Sequence, residues 1–78
     1  MMTVVTEFFQ NEFNEHVASV LRRELDAGRQ VELTFNVFNV RLDPQMGVVT
    51  VQDELDPNRC EALDLAEFAG MVEERSRR

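Results

Sequence analysis

The sequence predicts a small α+β fold, two layers in the order α-β-β-(β)-α, with an antiparallel hairpin and two helices packed on one of its faces. Three observations predict it. Val31, Leu33, Phe35 and Val37 alternate with Glu32, Thr34 and Asn36, the period of a half-buried strand. Asp43-Pro44-Gln45-Met46-Gly47 has the composition of a turn, and Val48-Val49-Thr50-Val51 restarts a strand after it. On either side the apolar spacing becomes three and four, the spacing of a helix stripe.

In chain order, residues 1–5 read as a frayed tail or a short edge strand. Thr6 suits an N-cap and Glu7 the positive end of the helix after it. Phe9, Phe13, Val17, Val20, Leu21 and Leu25 form one stripe, so a first helix is expected over roughly 6–26, with Gly28 as its C-terminal cap. Phe8 lies off that stripe, at an edge of the hairpin or exposed. The strand that follows changes phase: after Val37 the apolar set becomes Phe38, Val40 and Leu42. Either a β-bulge near Asn36 to Phe38 turns these residues back to the core, or the strand is regular and they form a second apolar face. The second arrangement implies a partner, so Phe38, Val40 and Leu42 are the candidate interface of a homodimer.

Asp56-Pro57-Asn58-Arg59 reads as another turn, and Cys60 to Leu63 as a short third strand. Asp64 and Glu67 stand in capping-box spacing, with Leu63 and Phe68 at staple positions. Leu65, Phe68, Ala69 and Val72 then stripe a second helix ending near Arg75, where Arg75, Arg77 and Arg78 favour the negative end of its dipole. Gly70 in its middle suggests a close helix–sheet contact. No linker divides the 78 residues, so 1–78 is expected to be a single domain.

Composition limits the chemistry. The chain has one His, one Cys, three Gly and no Tyr or Trp, and all eight basic residues are Arg. No catalytic triad, Cys/His metal cluster or phosphate-binding glycine loop can be assembled, so no enzyme and no cofactor are expected. His16 lies one turn from Glu12, a spacing that serves a local ion pair more often than half of a metal site. Cys60 has no partner for an internal disulfide, and no run approaches the ~20 apolar residues of a membrane span; a cytoplasmic protein is expected.

The net charge of −7 argues against direct binding to nucleic acid or an anionic membrane. It is concentrated: residues 53–67 hold six carboxylates against Arg59, or −5 of the −7. Asp53, Glu54, Asp56 and Glu61 are therefore the candidate partner-binding residues, on a surface that could also imitate nucleic-acid phosphate. Part of this stretch resembles a degenerate EF-hand calcium loop, with Asp56, Asn58, Asp64 and Glu67 at positions one, three, nine and twelve. Glu61 stands where that loop needs glycine, and Cys60 where it needs a ligand. A faint echo at a spacing of thirty, Glu24-Leu25-Asp26 against Glu54-Leu55-Asp56, is too short for a repeat. The expected function is a non-enzymatic protein-interaction module, a regulatory adaptor or an inhibitor such as a phage encodes, working as a homodimer on another protein.

Overall fold

A computed structural model describes residues 3–77. Three helices cover one face of a four-stranded antiparallel sheet of order β1-β2-β3-β4, so the α+β architecture expected from sequence is present with one more helix and two more strands than the minimal reading.

The helix expected over 6–26 is two helices, α1 (Val4–Asn11) and α2 (Glu15–Ala27). Thr3, not Thr6, caps α1: its side chain accepts from the Thr6 backbone N–H at 3.1 Å. The segment read as a tail thus enters the helix, and Val4 and Val5 are buried; Met1 and Met2 lie outside the described residues. Asn14 makes the break. Its backbone is extended and its Oδ1 accepts from the Val17 N–H at 2.9 Å, a new N-cap in the middle of the apolar stripe. Phe8 is fully buried, with the rings of Phe9, Phe35 and Phe38 between 5.3 and 5.8 Å from its own. Gly28 ends α2 at φ 65°, as its position suggested.

The apolar phase change is neither a bulge nor a second face. It is a hairpin. β1 (Val31–Phe35) and β2 (Phe38–Asp43) pair with Phe35 opposite Phe38, Leu33 opposite Val40 and Val31 opposite Leu42. Paired residues point to the same face, so a two-residue turn at Asn36-Val37 carries the odd-numbered apolar set of β1 into the even-numbered set of β2. Asn36 has φ 56° and Val37 does not share it, the φ pattern of a type II′ turn. Phe38, Val40 and Leu42 are consequently 4%, 0% and 1% exposed, in the chain's own core. The expectation that they lie on a free face and form a dimer interface is corrected: that face is already covered by α1 and α3.

β3 (Val48–Asp53) follows the Asp43–Gly47 turn, and β4 (Cys60–Asp64) is the third strand expected from Cys60 onward. Val49 and Val51 point inward and are fully buried. α3 (Leu65–Ser76) begins directly after β4. Its start is held by the turn: the Leu65 N–H donates to the Gly47 carbonyl at 2.9 Å. Asp64 occupies the N-cap position but makes no side-chain cap bond, so the capping box is absent. Phe68 and Val72 are buried as the stripe required. Gly70 is exposed, and a Cβ there would meet nothing within 4 Å. The close helix–sheet contact suggested for it does not exist. Arg75 lays its guanidinium over the Phe9 ring, 4.8 Å from the centroid; Arg78 lies outside the described residues. No helix among them is long and apolar enough to cross a membrane.

Candidate functional site

The open face of the sheet is polar and zipped across strands. Thr34 donates to Asn39 Oδ1 at 2.7 Å, and Arg41 pairs with Glu32 at 3.2 Å. Cys60 is exposed there on β4, whereas His16 is exposed on α2 in the other layer. Glu12, the neighbour considered for a metal site with His16, instead accepts from Asn36 Nδ2 at 2.9 Å and ties the α1–α2 break to the first hairpin turn.

The acidic stretch folds around the β3–β4 loop, residues 54–59. Its four candidate carboxylates divide into two kinds. Asp53 is mostly buried and accepts from Arg59 at 3.2 Å and from the Leu55 N–H at 2.9 Å. Glu61 lies on the inner side of β4 and accepts from the Val5 N–H at 3.3 Å. These two hold the fold together. Glu54 and Asp56 are exposed, with Leu55 between them at 80% exposure. Asp56 Oδ1 accepts from the Asn58 N–H, and the Arg59 N–H donates to the Asp56 carbonyl at 2.9 Å, so the loop is braced from within.

Arg59 is the centre of this end of the molecule. It is hydrogen-bonded to Glu7 of α1 and to Asp53 of β3, joining the first helix to the loop. The hydrogen bond it donates to Glu7 raises its pKa above the ordinary arginine value against the opposing effect of desolvation, with the charges of Glu7, Asp53 and Asp56 adding to the rise. Like any arginine, it is charged throughout the working pH range.

The residues of the EF-hand likeness do not converge. Asp56 and Asn58 precede β4 and Asp64 ends it, so an extended strand lies where a calcium loop would curl. Among the described residues no group of three or more His, Cys, Asp and Glu could hold a metal ion. A concavity of about 460 Å³ is an open groove between α2 and the end of α3. Phe13, Glu15, Ala18 and Arg22 line one wall, and Arg75 and Ser76 the other. The Ser76 hydroxyl donates to the Val72 carbonyl at 2.6 Å and is engaged within its own helix.

The sheet is least covered at β1. β1 is an edge strand, and Val31, Leu33 and Phe35 on its inner side are only half-buried against the core, with Phe13 and Leu25 equally half-buried. The alternation of β1 is as the sequence predicts, but the strand ends at Phe35 and does not run on through Leu42. No protein-family profile, curated protein or solved structure matches this chain.

Proposed function

We propose that this chain is a small non-enzymatic interaction module of the adaptor or inhibitor kind, which pairs with a second copy and engages a basic partner protein in the cytoplasm. The observation that carries the reading is Leu55: a large apolar side chain is held 80% exposed between the exposed carboxylates of Glu54 and Asp56 by a loop whose backbone is internally bonded. An apolar anchor inside a charged rim is the composition of a protein contact. The loop is ordered before binding, which lowers the entropy cost of association. A partner with a shallow apolar socket ringed by Arg or Lys fits it. Two of the four acidic candidates, Asp53 and Glu61, act in this reading as supports and not as contacts. That leaves too short a row of free charge to imitate nucleic-acid phosphate.

The test is affinity capture from the source cell with wild-type protein, Leu55→Ala, and the double substitution Glu54→Gln with Asp56→Asn. A partner lost with either variant, and lost for wild type between about 0.05 and 0.5 M salt, supports the reading. A partner retained equally by all three proteins, at both salt concentrations, contradicts it.

A further inference from the structure

The hydrogen-bond ladder shows which backbone groups of β1 are free. The Glu54 N–H donates to the Val37 carbonyl at 2.7 Å, so residue 37 addresses β3. Backbone direction alternates along an antiparallel strand, so Phe38, Val40 and Leu42 address β1. Their partners Phe35, Leu33 and Val31 are therefore bonded inward, and Glu32 and Thr34 point their N–H and C=O groups out of the sheet edge. The same alternation is confirmed one strand further on, where the Asp53 N–H donates to the Arg59 carbonyl at 2.9 Å.

We infer that the β1 edge, Val31–Phe35, pairs antiparallel with the same edge of a second copy about a two-fold axis at Leu33. The inference rests on the reading of the chain as a self-pairing module and names the surface that does it. One register satisfies every constraint. With Leu33 opposite Leu33 of the other copy, Glu32 and Thr34 exchange both backbone bonds with Thr34 and Glu32, and all the outward groups are paired. Val31 then meets Phe35, and the half-buried apolar side chains of both copies form one continuous inner surface. A slip by one residue would set outward backbone against inward backbone. Centring on Glu32 would place two carboxylates opposite each other, and centring on Thr34 would run Glu32 into Asn36, which the turn removes from the strand.

Charge agrees with this register: the one charged side chain of β1, Glu32, is already paired with Arg41 of its own copy at 3.2 Å. The strand also lacks the proline, lysine or bulge with which edges are blunted. β4, the other edge, offers much less, since its inner side carries only Leu63 and the engaged Glu61. Pairing of identical edges closes at two copies.

The experiment uses Cys60→Ser protein carrying one new cysteine at position 31, 32 or 33, oxidised at a concentration where wild type sediments as a dimer. Paired residues without mutual hydrogen bonds stand close enough for a disulfide. Leu33→Cys should cross-link to itself and Val31→Cys and Glu32→Cys should not. Thr34→Pro, which removes an outward N–H together with the side-chain bond to Asn39, should weaken the dimer about tenfold or more relative to Thr34→Val, which removes that side-chain bond alone, with the fold intact by circular dichroism. A dimer that cross-links at position 32, or at none of the three and is indifferent to Thr34→Pro, overturns the assigned edge and register while leaving self-pairing standing. Wild type that stays monomeric at high concentration overturns both the edge and self-pairing. The Leu55 contact is unaffected by either result.

Discussion

Phe35 and Phe38 stand opposite each other across a turn of two residues, and both rings pack within reach of Phe8. That relationship sets the first hairpin, and its cost is concentrated in Asn36, whose φ of 56° belongs to glycine more naturally than to any other residue. Asn36→Ala loses the tolerance of asparagine for that conformation and also the bond to Glu12. It should lower stability by about 1–3 kcal/mol. Asn36→Gly keeps the turn and should fall within about 1 kcal/mol of wild type. Urea unfolding of the two variants checks the difference, and equal loss in both would remove the turn from the explanation.

Phe38 belongs to the core of the single chain. Phe38→Ala should cost about 3–5 kcal/mol. For a domain of this size that is a large fraction of the total stability. Thermal unfolding should show the same loss at every protein concentration, because no subunit contact is involved. A loss that vanishes on dilution would mean that Phe38 sits between subunits.

Much of the fold was legible because its signals are local. Period-2 alternation, the Asp43–Gly47 turn, the Gly28 cap and the Phe68/Val72 stripe each follow from a few neighbouring residues, and each is present. The first hairpin was misread because Asn36-Val37 lacks the Asn-Gly or Asp-Gly signature, so only the phase change recorded it. The break in the first helix was misread because Phe9, Phe13 and Val17 keep helical spacing through Asn14, and an asparagine inside a stripe caps a helix only when tertiary packing favours the break. The acidic stretch was visible as charge. Its division into supporting Asp53 and Glu61 and exposed Glu54 and Asp56 depends on Arg59 and on the Val5 amide, which is 56 residues from Glu61.

Gly70 is a point of free gain. It is exposed in the middle of α3 with open space around its Cβ position. Gly70→Ala should stabilise the protein by about 1 kcal/mol through helix propensity alone. Chemical denaturation measures it; a destabilised variant would show that something packs closely against this turn of the helix.

Arg59 joins α1 to the β3–β4 loop, and its pKa is raised from an arginine value that already lies beyond ordinary alkaline conditions. The sign follows: a group whose pKa is raised on folding stabilises the fold below its unfolded pKa, and that contribution is lost only as pH climbs through the raised value, in strong alkali. Arg59→Leu should therefore speed amide exchange across residues 53–59 to a similar extent at every pH in the working range. Protection in that loop that is unchanged by the substitution would show that the backbone bonds alone hold it.

Hydrogen exchange resolved by residue along β1, in dilute and in concentrated protein, tests the central claim most directly. The inward amides of Leu33 and Phe35 should be protected at both concentrations by their bonds to β2. The outward amides of Glu32 and Thr34 should exchange quickly when dilute and slow markedly when concentrated, as a second copy covers the edge. Fast exchange at Glu32 and Thr34 at every concentration would contradict the claim.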